Sequence, residues 1–284
     1  NISKPIIDTD ATGFCYGVKR AVLLAENAAQ STDRAVAVYG HLVHNSQQVA
    51  ALEQQGIHCL ADWQNCDPGV LIIRTHGISP SELAKIQAAG WKTIDATCPL
   101  VTRTHQRAEM LRTAGYPLGI IGHPEHPEVR AMAAGDYGNV LILQSLEAVE
   151  RLLPVKFARL GVLIQSTFPP TLAMAIIGEL AIRVMDLRIF HTLCPATQRR
   201  LATAAAIARQ VDMMVVVGGH DSANTRQIAD ACLLLTPTHR VETWEELQAS
   251  WFRNAKRVGI ASGLSTPDFA VQKVRNAIIA FLEE

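Results

Sequence analysis

The chain has 284 residues, 49% of them apolar and 5% aromatic, with 26 basic residues against 26 acidic ones. Balanced charge leaves no broad electrostatic footprint for nucleic acid or an anionic membrane, and the scarcity of aromatics argues against base stacking. The length suits two or three domains, no apolar run reaches 18 residues, and the N-terminus shows no basic head followed by an apolar core; a cytoplasmic protein without membrane or nucleic-acid partners is expected.

In chain order, the first cysteine lies in "DATGFCYGVKRAVLLAENAA", where a short strand-like segment precedes a helix with 3.6-residue apolar periodicity. The strand "AVAVYG" follows and ends at His41. A polar loop then opens the helix "SQQVAALEQQG", the strand "GVLIIRTHG" follows, and a proline-started helix begins "SPSEL". The same order recurs from "DATCPLVTRTHQRAEMLRTAG", with strand "PLGIIG", His123, "PEHPEVRAMAAG", strand "LGVLIQST" and helix "PPTLAMAIIGEL". It recurs again from "HTLCPATQRRLATAAAIARQ", with "MMVVVGG", His220, "DSANTRQIADACLL", "VGIASGLST" and "TPDFAVQKVRNAII". The offsets from Cys15 to His41, Cys98 to His123 and Cys194 to His220 are 26, 25 and 26 residues. This threefold repeat predicts an α/β fold of three pseudo-equivalent modules with mostly parallel sheets: residues 1–97 with Cys15, 98–192 with Cys98, and 193–284 with Cys194.

Ligands of parallel sheets gather at the carboxyl ends of the strands, where every polar cluster quoted above falls. "IIGHPEHPEVR" carries two histidines and two glutamates, but Pro124 and Pro127 bar it from a helix interior and so from a zinc-peptidase helix. It reads as a strand end, a loop and a helix start with Pro127 in the first turn. Of six cysteines, Cys59, Cys66 and Cys232 fall outside the repeated position and read as small buried hydrophobes. Cys15, Cys98 and Cys194 each stand at a helix N-terminus, where thiolate is favoured. A threefold arrangement would bring them to one centre. Three thiolates there could hold zinc with an outside ligand, or a [4Fe-4S] cluster with one iron open to substrate, and spacing alone leaves both readings standing. No GxGxxG or GxxxxGK[ST] segment is present, so bound nicotinamide or ATP is not expected.

The segments "GFCYGV", "VHN", "THG", "DATCPLVTRTH", "GHPEHPEV", "QST", "CPAT", "SAN" and "GLSTPD" resemble, in order, the signature segments of the LytB family. Its members are the 4-hydroxy-3-methylbut-2-enyl diphosphate reductases of non-mevalonate isoprenoid synthesis. The resemblance implies a trefoil around a three-cysteine [4Fe-4S] cluster held by Cys15, Cys98 and Cys194. It implies reductive dehydroxylation of the allylic diphosphate to isopentenyl and dimethylallyl diphosphate, with electrons from a ferredoxin- or flavodoxin-type protein. Glu128 corresponds to the proton donor, with a neighbouring hydroxyl from Ser166 or Thr167. His44, His76, His126, Ser222, Asn224 and Ser265 correspond to the substrate cradle, and His41, His123 and His220 to structural positions. The chain departs from the usual pattern at Ala223, where a serine is usual, at His220-Asp221, where Lys-Asn is usual, and at Ser166, Leu201 and Ala131. These changes touch the anion cradle and keep open a divergent iron-sulfur paralogue acting on another allylic substrate. A zinc enzyme built on the same three cysteines and a metal-binding regulatory protein without catalysis are also compatible with the sequence.

Overall fold

The computed structural model describes residues 6–8, 11–135, 137–153 and 157–283. The chain runs β1 (Ile6–Asp8), α1 (Tyr16–Gln30), β2 (Val36–Tyr39), α2 (Ser46–Gln54), β3 (Ile57–Leu60), β4 (Val70–Ile73), α3 (Pro80–Ala88) and β5 (Lys92–Asp95). It continues through α4 (Pro99–Thr113), β6 (Leu118–Ile121), α5 (Pro127–Ala133), β7 (Leu141–Ile142), α6 (Leu146–Leu152), β8 (Phe157–Ile164), α7 (Pro170–Arg183) and β9 (Val184–Ile189). Last come α8 (Pro195–Ala208), β10 (Met213–Val217), α9 (Ala223–Leu233), β11 (Thr238–Val241), a 3-10 turn at Trp244–Glu246, α10 (Ala249–Phe252), β12 (Val258–Ser262) and α11 (Asp268–Glu283).

Local chemistry sets the helix starts. The side chains of Asn45, Ser79, Ser145 and Ser222 each accept a free first-turn N–H, and proline opens α3, α4, α5 and α7, where its missing N–H costs nothing. Among the described residues, the strands form three four-stranded sheets in the orders β3-β2-β4-β5, β7-β6-β8-β9 and β11-β10-β12-β1. Every pair whose register is described is parallel. The α/β class read from the sequence is therefore the class of the structure. The three sheets share one strand order, so the repeat is one of topology as well as of motif. Sheet membership differs from the expected module bounds by one strand: Ile6 of β1 lies opposite Val258 of β12, in the third sheet.

The chain divides into two compact units, one of residues 1–31, 41–59 and 195–284 and the other of residues 32–40 and 60–194. In the first, the central strand β10 reads "MMVVV" and is buried on both faces, as a parallel core strand should be. Its odd-numbered residues Met213, Val215 and Val217 pack with Val271, Val274 and Ile278 of α11, while Met214 and Val216 meet Ile207 of α8 and Ile228 of α9. In the second unit, β8 works the same way. Val162 and Ile164 pack with Ile176 and Leu180 of α7, and Leu163 packs with Ala108 and Leu111 of α4. Among the described residues, no helix is long and apolar enough to cross a membrane.

Candidate active site

The second unit holds His76, Cys98, His126, Glu128, Ser166, Thr167 and Cys194. Cys98 opens α4, and its amide donates to the Thr75 carbonyl at 2.9 Å, next to His76. The Cys194 amide makes the equivalent bond to the Ser166 carbonyl, also at 2.9 Å. Both thiols are free and half-buried. Burial raises the Cys98 thiol above its ordinary range. The amides of Leu100 and Val101 at the head of α4 pull it down, and the neighbouring charges of Cys194 and Glu128 push it up again. Cys194 and Glu128 thus both lie within electrostatic reach of Cys98.

His126 caps α5, and its Nδ1 accepts from the Glu128 amide at 3.3 Å. A ring nitrogen that accepts carries no proton, so the neutral His126 ring keeps its proton on Nε2 and can donate from there. Its ring meets that of His76 edge to face, 5.5 Å between centroids. Glu128 is 1% exposed. Its Oε1 accepts from the Ser166 amide at 3.0 Å and its Oε2 from the Ser166 hydroxyl at 2.6 Å. Burial raises this carboxyl, and the Ser166 hydroxyl and amide only partly offset it. Of the two hydroxyls expected beside Glu128, the partner is Ser166, while Thr167 accepts from the buried Gln165 side chain at 2.9 Å. Gln165 also takes the His123 amide at 2.9 Å, which gives His123 a backbone tie to the strand end. Glu125 is exposed and paired with Arg130.

The first unit holds Cys15, His44, Ser222, Asn224 and Ser265. Cys15 caps α1, its sulfur accepting the Val18 amide at 3.5 Å, and its own amide donates to the Leu264 carbonyl at 3.1 Å. That is the third member of the same bond set, cysteine amide to strand-end carbonyl. The Leu264 amide in turn donates to Asn224 Oδ1 at 2.9 Å, so Asn224 and Cys15 are two hydrogen bonds apart, with Ser265 beside them in the chain. The Asn224 Nδ2 is buried and has no protein partner among the described residues, a donor held open. Ser222 caps α9 through the Thr225 amide at 3.2 Å.

The turn before Cys15 is fixed from below. Gly13 takes φ +78°, and a Cβ there would fall 2.3 Å from Asp268 Oδ1. Its amide donates to Ser262 Oγ at 3.0 Å, and its carbonyl accepts from the buried Arg200 guanidinium at 3.0 Å. His44 precedes the Asn45 cap of α2 and lines a cavity of about 290 Å³ with His41, Asn45, Gly219, His220 and Glu242. Ser222, Asn224 and Ser265 do not line it. His220, at the altered Lys-Asn position, is exposed and bonds Glu246 at 2.9 Å, and Asp221 is exposed beside it.

The residues fit a cluster in kind: three half-buried cysteine thiols, none of them in a disulfide, each at a helix start and each pinned by its amide to a strand-end carbonyl. Among the described residues, no group of three His, Cys, Asp or Glu side chains stands in a geometry that could hold a metal ion. Sequence reasoning missed Gln165, the role of Arg200, and Glu242. Only the first had a signal, a glutamine at the end of a buried strand.

A family model described as LytB protein matches residues 6–279. The 4-hydroxy-3-methylbut-2-enyl diphosphate reductase of Pelobacter propionicus is 36% identical over 274 residues, 96% of this chain and 97% of that one. A solved (E)-4-hydroxy-3-methyl-but-2-enyl diphosphate reductase, described as the terminal enzyme of the non-mevalonate pathway, is 35% identical, with a TM-score of 0.74 over 97% of this chain and 99% of its own. The E-1-hydroxy-2-methyl-but-2-enyl-4-diphosphate reductase of Plasmodium falciparum is 25% identical, with a TM-score of 0.90 over 95% of this chain and 86% of its own.

Proposed function

Because the chain belongs to the LytB family, we propose that it is a reductase of (E)-4-hydroxy-3-methylbut-2-enyl diphosphate, yielding isopentenyl and dimethylallyl diphosphate. The reaction breaks one C–O bond, forms one C–H bond, consumes two electrons and two protons, and releases the oxygen as water. Cys15, Cys98 and Cys194 are the ligand set for a [4Fe-4S] cluster. When bound, a three-thiolate cluster supplies electrons and an open iron for the substrate oxygen. Electrons reach it from a small ferredoxin- or flavodoxin-type protein.

The observation that carries this reading is the setting of Glu128. A carboxyl buried to 1% exposure, raised by desolvation and bonded to Ser166, stands in electrostatic reach of Cys98. A raised carboxyl keeps its proton toward neutral pH, which a general acid requires. The Ser166 hydroxyl, at 2.6 Å from Oε2, can pass that proton on and recover it. Delivery to one end or the other of the allylic system gives the two products. His44, His76 and His126 offer ring donors to the diphosphate, the last through Nε2, and Asn224 offers its open Nδ2. Ser222 and Ser265 complete the cradle. Ala223 lacks one hydroxyl, and the exposed His220 and Asp221 turn toward Glu246 and the outer cavity.

Anaerobic turnover of the hydroxy-diphosphate with a reduced viologen dye, followed by product analysis, tests the reading. Both five-carbon diphosphates should form. A protein that carries a full iron and sulfide complement yet leaves this substrate untouched would shift the assignment to another allylic alcohol.

A further inference from the structure

Two polar loops in the first unit each carry a buried amide with no protein partner among the described residues: Asn45 Nδ2 ahead of α2, and Asn224 Nδ2 at the head of α9. Both asparagines are at least nine-tenths buried. The loops touch at the backbone. A Cβ on Gly219 would lie 2.7 Å from the His44 carbonyl oxygen, so only glycine allows the approach.

One side chain bonds both loops. Glu242, just past the end of β11, accepts from the Ser46 amide at 3.1 Å and from the Ser46 hydroxyl through Oε1, and from the His220 amide at 3.2 Å through Oε2. Its main-chain carbonyl accepts from the Gln47 side chain at 2.7 Å. The Ser46 amide is one of the free N–H groups at the head of α2, so the carboxylate also satisfies a helix start. Glu242 is itself held in place. Glu246 Oε1 accepts the amides of Glu242 and Thr243, both at 3.1 Å, and Glu246 Oε2 meets His220 Nε2 at 2.9 Å.

We propose that Glu242 is a positioning residue for the diphosphate: its carboxylate fixes the spacing between the His44-Asn45 loop and the Ser222–Asn224 loop, and with it the spacing of their open donors. This deepens the reductase reading and rests on it for the identity of the anion. Glu242 acts through the two loops that it bonds. Its effect is on geometry, and anion binding by fixed donors is sensitive to displacements of that kind.

Glu242→Gln is the first variant. The amide oxygen can serve one loop, while its NH₂ faces a donor on the other. Substrate KM should rise about tenfold, with kcat changed less than about threefold, since the lost bonds are to an ionised group. Iron content and the absorption spectrum should stay as in wild type. Amide hydrogen exchange should quicken in both segments 44–48 and 219–224 and nowhere else in the unit. Ser46→Ala, which removes one bond and no charge, is the milder variant and should raise KM about two- to threefold. Inorganic pyrophosphate, titrated calorimetrically, separates the two readings. A wild type that is inert on the hydroxy-diphosphate but binds pyrophosphate, with weaker binding in Glu242→Gln, keeps the positioning role and removes the reductase. Unchanged exchange, or loosened loops with KM and pyrophosphate affinity unmoved, overturns the positioning role.

Discussion

Glu128→Gln separates the two consequences of burying this carboxyl. Glutamine has the same shape, and both bonds survive: its oxygen accepts the Ser166 amide, and its NH₂ donates to the Ser166 hydroxyl oxygen that formerly donated. What is lost is ionisation. In the unfolded chain, a glutamate ionises near its ordinary value of about 4.3. In the fold, burial raises that value. Between the two values the unfolded state has released a proton that the folded state still holds. The stability associated with the protonated form is therefore full below the unfolded value and is lost as pH rises through the folded one. The variant escapes that loss. It should match the wild type in mildly acid solution and gain on it in mildly alkaline solution, the direction that a raised carboxyl dictates. Desolvating a polar group costs roughly 1–3 kcal/mol, and two hydrogen bonds offset part of the larger cost of a charge, so a net gain of about 1 kcal/mol is expected. For a chain of 284 residues that is a rise in Tm of about 2 °C. Activity should fall about 10²–10⁴-fold, the usual contribution of a positioned acid. Thermal melts at the two pH values and anaerobic initial rates on the same preparations measure both. A variant that melts lower at both pH values, or that keeps activity within about threefold of wild type, refutes the reasoning.

Ser166→Ala removes the hydroxyl that lowers the Glu128 carboxyl, so the alkaline fall in the rate profile should move to higher pH while the maximal rate drops; Thr167→Ala, whose hydroxyl serves Gln165, should leave that limb in place. Equal profiles for the two variants would count against the assignment. Arg200→Lys should cost about 2–3 kcal/mol, because a compact ammonium cannot reach Gly13 O, Ser262 O and Ser262 Oγ together, and iron content per chain should fall with it. Gly13→Ala should cost about 1–2 kcal/mol from its left-handed backbone alone, and more from the contact with Asp268, and should likewise lower iron retention at Cys15. Denaturant unfolding and iron analysis check both.

The legible parts of the fold were those with strong periodicity or hard punctuation. The apolar runs at β2, β4, β6, β8, β10 and β12 and the helix starts marked by cysteine, serine or proline could be read directly. The edge strands β3, β7 and β11 could not. They are two to four residues long and largely half-exposed, so neither length nor alternation sets them apart from loop. The pairing of Ile6 with Val258 was also invisible, because parallel pairing leaves no local mark on either strand. In the site, Glu128 stood out by its motif, and Ser166 could be narrowed only to two neighbouring hydroxyls. Rotation at the strand end decides which one faces the carboxyl. Glu242 was silent in the sequence, since a carboxylate that bonds backbone amides from two distant loops needs no motif of its own.

The most direct test of a three-thiolate cluster open to substrate is an anaerobic preparation assayed for iron and sulfide and measured by Mössbauer spectroscopy before and after (E)-4-hydroxy-3-methylbut-2-enyl diphosphate is added. About four irons per chain are expected, with one site distinct from the rest and a shift of that site alone on addition of the substrate. Zinc without sulfide, or a full cluster with no site that responds to the substrate, would contradict it.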